Sequence, residues 1–293
     1  MGLIEGKVAI VTGAGAGLGR AYALALAAEG AAVVVNDVAR AGEDDIRPAA
    51  AVVAEIVALG GRAAANFSDV SSVAGGEDLL ASAIDNFGRI DILVNNAGIL
   101  RDASLLKMEE GQWDAIMAVH LKALYAVTKP VFAWMKDNGG GGVIVNTTST
   151  AGIRGNFGQT NYAAAKCGVI GFSSSLALEG KKSGIRVWNI GPAAATALTA
   201  HMPDDYKRQF HIDRVAPTLL YMVSDLSGDQ TGKTLLAGGG WVGEVRFEVH
   251  SGFVPGETFT AHDVATAAAA GNLFFPEREG KWVTAYGPAK GDA

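Results

Sequence analysis

The chain has 293 residues, of which 49% are apolar and 18% charged, with a net charge of −6. That apolar content supplies a substantial core and is too high for a disordered chain. The acidic balance, with no basic cluster, argues against nucleic acid or an anionic membrane held by bulk electrostatics.

In chain order, residues 7–12 (KVAIVT), 31–36 (AAVVVN), 62–67 (RAAANF), 91–96 (DILVNN), 142–147 (GVIVNT), 185–190 (IRVWNI) and 233–238 (KTLLAG) read as strands. They are short and apolar with little alternation, as in a parallel sheet covered on both faces. Residues 18–29, 48–59, 72–87, 112–136, 161–182 and 215–226 are long enough for the intervening helices. Strand–helix alternation on this scale predicts an α/β, Rossmann-type doubly wound fold with a seven-stranded parallel sheet and helices on both faces. The NGGGG run at 138–142 reads as a turn, and 191–210 as an irregular stretch where a substrate lid is expected. The expected division is a dinucleotide-binding domain over 1–252 and an aromatic extension over 253–293, acting as a dimer contact or a cleft cap.

The first strand runs into VTGAGAGLGRAYALALAAEG, where Gly13, Gly17 and Gly19 form T-G-x-x-x-G-x-G. Glycines at this junction allow a tight turn and close approach of backbone to a pyrophosphate, and the helix N-terminus offers free N–H groups to it. Asp37 ends the second strand, 24 residues after Gly13, near the roughly 20 expected of the acid that bonds the adenosine ribose. A carboxylate there repels a 2′-phosphate and no Arg or Lys immediately follows it, which favours NAD over NADP. At the end of the third strand, Asp69 by its side chain and Val70 by its backbone are placed to meet adenine.

In the second half, Tyr162 and Lys166 stand four residues apart in a helix-favouring context, with Ser149 thirteen residues before the tyrosine at a strand end. A phenol is a poor acid at neutral pH, and a fixed cation beside it lowers its pKa. The spacing fits either a proton donor that works near neutrality or an i,i+4 pair on a helix surface.

With these motifs and NNAG at 95–98 in order, residues 4–245 resemble the short-chain dehydrogenase/reductase family. The resemblance implies that Tyr162 exchanges a proton with the substrate oxygen, that Lys166, with the cationic nicotinamide ring of the oxidised cofactor, lowers the tyrosine pKa and bonds the nicotinamide ribose, and that Ser149 donates to the substrate oxygen. It implies a cofactor site drawn from Gly13, Gly17, Leu18, Gly19, Asp37, Asp69, Val70, Asn96, Tyr162, Lys166, Pro192 and Thr196, with no metal. Two positions depart from the family's pattern: His120 in MAVHLKALYAVT stands where an asparagine is common, and Ala193 follows Pro192 where glycine is usual.

A narrower resemblance, in NNAGILRD, VHLKA, GNFGQTNYAAAK and GGGWVGEVRFE, is to the (3R)-hydroxyacyl-CoA dehydrogenase units of peroxisomal multifunctional enzymes type 2 and their stand-alone actinobacterial relatives. It implies NAD-dependent oxidation of a 3-hydroxyacyl-CoA, fatty-acyl or sterol side-chain, by a stand-alone dehydrogenase. The alternatives are a 3-ketoacyl-carrier-protein reductase or a dehydrogenase of steroids or other secondary alcohols. Arg101, Lys107, Arg154 and His201 are candidates to rim the cleft for an acyl-CoA thioester. The family also implies a homodimer or homotetramer through helices 112–136 and 161–182.

The single cysteine, Cys167, leaves no internal disulfide and fits a reducing compartment; its small-residue context predicts a packed structural thiol. The N-terminus carries Glu5 and Lys7 before a short strand and does not read as a secretory signal. No apolar run reaches the roughly 18 residues of a membrane span, and the final GDA is not a peroxisomal tripeptide. The expectation is a cytoplasmic protein with no membrane partner.

Overall fold

Five consecutive buried residues, Val8–Thr12, form the first strand, β1, and their side chains alternate between two cores. Ala9 and Val11 join one cluster, Val8 and Ile10 the other, as the two-residue period of a strand requires. The computed structural model describes residues 2–38, 47–138, 140–196, 203–254 and 257–275. After β1 come α1 (Gly17–Ala28), β2 (Ala32–Asn36), α2 (Pro48–Ala58), β3 (Arg62–Asn66), α3 (Val73–Phe87) and β4 (Ile92–Asn95). There follow α4 (Glu110–Met117), a π turn (Ala118–Lys122), α5 (Ala123–Asp137), β5 (Gly142–Thr147), α6 (Ala151–Arg154), α7 (Thr160–Gly180) and β6 (Ile185–Ala193). The described chain closes with α8 (Asp204–Gln209), α9 (Ala216–Val223), β7 (Lys233–Gly238), β8 (Trp241–Val245) and α10 (Ala261–Ala269).

The strands form one sheet in the order β3-β2-β1-β4-β5-β6-β7-β8. The first seven are parallel and correspond to the seven expected from sequence; β8 is an eighth, antiparallel to β7. Gly239 and Gly240, at φ +61° and +88°, turn the chain back, and β8 alternates between half-buried and exposed residues, so it lacks the apolar run that marks the others. Strand β6 also extends to Ala193, past the expected end at Ile190, and Pro192 pairs in register with Ala237.

Tyr22 and Leu26 of α1, Val52 and Ile56 of α2, and Leu219 and Met222 of α9 cover one face. Leu79 and Ala83 of α3, Val127 and Val131 of α5, and Leu176 of α7 cover the other. Each buried Val, Leu, Ile or Met among them contributes about 1.5–3 kcal/mol by leaving water. Helix α3 is capped by Ser72, whose Oγ accepts from Gly75 N at 3.0 Å, and ends at Gly88 in the left-handed conformation. A Cβ on Gly76 would lie 2.0 Å from the Ala126 carbonyl oxygen, so α3 and α5 cross at backbone contact. The continuous helix Glu110–Asp137 is, by length and composition alone, apolar enough to cross a membrane, where no apolar run of that length was expected. Here its apolar face packs against α3 and the sheet.

In the C-terminal extension, α10 carries a capping box, with Thr260 and Asp263 exchanging bonds at both backbone N–H groups. Only Ala267 of that helix is buried. The extension's aromatic rings pack on one another, His250 on Phe275 at 5.2 Å and Phe253 on Phe259 at 6.5 Å.

Candidate active site

The strand order reverses between β1 and β4, and a cleft of about 1090 Å³ opens there at the carboxyl ends of the strands, where open α/β sheets bind ligands. One wall is the loop from β1 into α1. Gly13 and Gly17 have φ of +62° and +57°, conformations that favour glycine. A Cβ on Gly13 would lie 2.7 Å from Ala97 Cα, and one on Gly19 would lie 2.2 Å from the Gly13 carbonyl oxygen. Ala16, the residue before α1, offers no side-chain cap, so first-turn N–H groups remain available to an anion. Asn96 braces the loop, donating from Nδ2 to Thr12 O at 2.9 Å and Gly13 O at 3.2 Å. Backbone stripped of Cβ atoms in front of an uncapped helix fits a dinucleotide pyrophosphate.

At the far end of that wall, the Asp37 carboxylate accepts from Gly15 N at 3.0 Å. Asp69 and Val70 border the same end, and one Asp69 carboxylate oxygen accepts from Ser71 N and Oγ at 2.9 and 2.7 Å.

The opposite wall is built from the end of β5 and the first turns of α7. Thr160 to Gly180 is a single helix, so Tyr162 and Lys166 lie one turn apart on the face turned to the sheet. The Lys166 side chain is buried, with Nζ 5.6 Å from the Tyr162 ring centre and donating to Thr147 O at 2.6 Å. Burial lowers the Lys166 pKa to about 7. Burial also raises the Tyr162 phenol above its ordinary value; a hydrogen bond with Ser149 works against this and the charge of Asp102 adds to it. The expectation for Lys166 concerns the cofactor-bound site; in the chain by itself burial is the largest influence on the phenol.

His120 lies in the π turn, an irregularity often found at functional sites. Its ring stands edge-on to Tyr162 at 5.1 Å, and Nε2 lies 2.7 Å from Ile99 O and 3.0 Å from Ile99 N. Burial, aided by the Lys166 charge, lowers its pKa to about 3, so the ring is neutral at neutral pH. His120 Nδ1 and Thr147 Oγ1 are buried without a hydrogen-bond partner. Both residues, with Lys166, line a small pocket behind the triad.

Every residue expected from sequence for the site, namely Ser149, Tyr162, Lys166, Gly13, Gly17, Leu18, Gly19, Asp37, Asp69, Val70, Asn96, Pro192 and Thr196, lines the one cleft. Of the basic residues expected at its rim, Arg154 is there; Arg101 and Lys107 are exposed outside it, and His201 lies outside the described residues. Cys167 is exposed rather than packed, because the inward face of α7 is taken by Lys166 and the next residue turns about 100° away. Reading the sequence missed Thr147, Thr148, Asp102 and Gln159. Gln159 lines the cleft and donates from Nε2 to Asp102 Oδ2 at 2.8 Å; nothing in a lone Gln or Thr marks such a role.

A model of the short chain dehydrogenase family matches residues 7–207. Peroxisomal multifunctional enzyme type 2 of Mus musculus is 43% identical over 248 residues, covering 83% of this chain and 33% of that protein. Hydroxyacyl-CoA dehydrogenase ChsB1 of Mycobacterium tuberculosis is 47% identical over 208 residues, covering 67% of this chain and 64% of the relative. A crystal structure of a short chain dehydrogenase from Mycobacterium avium superposes with a TM-score of 0.84 at 36% identity, over 94% of this chain and 98% of that one. The chain thus spans about a third of the mouse enzyme's length.

Proposed function

This chain belongs to the short-chain dehydrogenase family, and on that footing we propose that it oxidises a 3-hydroxyacyl-CoA to the 3-ketoacyl-CoA with NAD. The observation that carries the reading is the junction, in one cleft, of a glycine-lined anion cradle with Ser149, Tyr162 and the buried Lys166. The substrate class is supported by the relatives' names, a hydroxyacyl-CoA dehydrogenase among them.

Gly13, Gly17 and Gly19 with the first turn of α1 hold the pyrophosphate, Asp37 the adenosine ribose, Asp69 and Val70 the adenine, and Lys166 the nicotinamide ribose. Bound NAD supplies the carbon that accepts the hydride. The Tyr162 hydroxyl, as phenolate, takes the proton from the substrate's 3-hydroxyl. Ser149 Oγ donates to the same oxygen and stabilises its developing negative charge, an effect worth about 3 kcal/mol. Neutral His120 packs edge-on against the Tyr162 ring. Asp37, at the β2 end of the cleft, would favour NAD, because a carboxylate there repels a 2′-phosphate.

The deciding measurement is the initial rate of NADH formation with NAD and a straight-chain (3R)-hydroxyacyl-CoA, a hydroxylated sterol side-chain CoA thioester, or the 3-hydroxyacyl-carrier-protein thioester. Preference for a CoA thioester with NAD supports the proposal, and the preferred chain assigns the acyl class. Turnover confined to the carrier-protein thioester with NADP would replace it with a reductase. We also propose pairing of two copies through α5 and α7, whose exposed Tyr125 and Leu178 support it; sedimentation as a monomer at micromolar concentration would remove that part.

A further inference from the structure

Three consecutive residues at the end of β5 each bond to α7. Asn146 Nδ2 donates to Ser173 Oγ at 2.8 Å, Thr147 O accepts from Lys166 Nζ at 2.6 Å, and Thr148 Oγ1 donates to Lys166 O at 2.8 Å. Ser149, next along the chain, lines the cleft together with Tyr162. Tyr162, Lys166 and Ser173 fall on one face because 4 and 11 residues are close to one and three turns of helix. The rungs therefore run along the helix in the reverse order of the strand.

Ser173 is the rung farthest from the chemistry and the one with most partners. It is fully buried, as are Asn146 and Asn189. Its hydroxyl accepts from Asn146 and donates to Asn189 Oδ1 at 2.6 Å, with Val169 O 2.8 Å away. Both amides are satisfied at their other ends: Asn146 Oδ1 accepts from Asn95 at 2.8 Å, and Asn189 Nδ2 donates to Thr234 at 3.1 Å. One hydroxyl on α7 is thus tied to β5 and β6, two strands of a sheet that is itself rigidly paired. Apolar packing alone would let a helix slide along a sheet at small cost, whereas these bonds have defined geometry.

We propose that Ser173 is a positioning residue for the dehydrogenase reaction, fixing the axial register of α7 on β5 so that Tyr162 meets Ser149. Nothing about Ser173 touches the cleft; it acts through the helix. This inference rests on the oxidoreductase reading, and its test includes a signal that needs no substrate.

Ser173→Ala removes the node and Ser173→Thr keeps the hydroxyl. Thr234→Val removes a buried bond from the far end of the same network without touching α7. The readouts are kcat and KM with the best hydroxyacyl thioester, thermal stability, and the ultraviolet titration of the Tyr162 phenol, read as the difference from the Tyr162→Phe variant. For Ser173→Ala the expected result is kcat about 10–100-fold lower at nearly unchanged KM for NAD. Its Tyr162 titration should move to higher pH as the Ser149 bond loosens. Ser173→Thr should restore both, and Thr234→Val should lose stability alone. If Ser173→Ala does not fold, Ser173→Cys, which keeps the volume and weakens both bonds, should show a smaller shift of the same sign. A wild-type Tyr162 titration in a folded, destabilised Ser173→Ala or Ser173→Cys protein overturns the proposal, as does an equal shift in Thr234→Val. A silent thioester assay with an intact titration shift would remove the substrate reading and keep the role of Ser173.

Discussion

Lys166 holds its ammonium 5.6 Å from the centre of the Tyr162 ring and donates, at 2.6 Å, to the Thr147 carbonyl. The cation sits under the phenol without an acidic partner in bonding distance among the described residues. That is an expensive place for a charge, and the site keeps it for what it can do to a ligand above it.

The cost is measurable as pH-dependent stability. Lys166 titrates at about 7 in the folded chain against 10.5 as its ordinary value. Between those values the unfolded chain binds a proton that the folded one has released, so folding gains stability as pH rises from about 7 toward 10.5. At about 1.4 kcal/mol per unit the gain is on the order of a few kcal/mol. Urea unfolding of the ligand-free protein at pH 7 and pH 9 should show it, and Lys166→Met should be more stable at pH 7 with the slope gone. An unchanged slope in Lys166→Met would assign it elsewhere.

His120 makes the complementary prediction on the acid side. Its folded pKa of about 3, against 6.5, means the unfolded chain takes up a proton first as pH falls. The stability it contributes is complete above pH 6.5 and drains away between 6.5 and 3. His120→Gln should be less stable at pH 7, by roughly 1–3 kcal/mol for the lost Ile99 bonds, yet should lose less on going to pH 4.5. A steeper acid loss in the variant would contradict the assignment.

What the sequence made legible follows from which signals are local. The seven parallel strands announce themselves as apolar runs, and Gly13, Gly17, Gly19, Ser149, Tyr162 and Lys166 as spaced motifs; all of these six line the cleft. Strand β8 was hidden because an edge strand needs no apolar run, and α8 because six residues, DDYKRQ, carry no readable period. The pairing of Asp102 with Gln159, 57 residues apart, is a tertiary fact with no sequence signature. Sign and size of the Tyr162 shift likewise depend on burial, which spacing does not report.

Cofactor choice is testable at Asp37, whose carboxylate is oriented by Gly15 N at 3.0 Å. Asp37→Ser removes the charge and shortens the reach to a ribose. Charged hydrogen bonds of this type are worth about 1.5–3 kcal/mol, so KM for NAD should rise roughly 10–100-fold. Activity with NADP should hold or improve, because the repelling charge is gone. Equal losses with both cofactors would mean that Asp37 supports the loop rather than selecting the nucleotide.

The last prediction concerns the direction in which pH drives the reaction. Burial holds the Tyr162 phenol above its ordinary value in the ligand-free chain, while Ser149 pulls it down. Alcohol oxidation needs the phenolate, so its rate should climb with pH through the neutral and mildly alkaline range. Reduction of the 3-keto thioester needs the protonated phenol and should fall over the same interval. Ser149→Ala should displace the oxidation limb to higher pH, because the bond that lowers the phenol is lost, in addition to lowering kcat by about 10²–10³. Tyr162→Phe should lower kcat by about 10²–10⁴ and abolish the limb altogether, with NADH binding by fluorescence titration unchanged. A Tyr162→Phe protein that retains a wild-type pH limb would place the proton acceptor on another group in the cleft, and neutral His120, 5.1 Å from the same ring, would be the first to test.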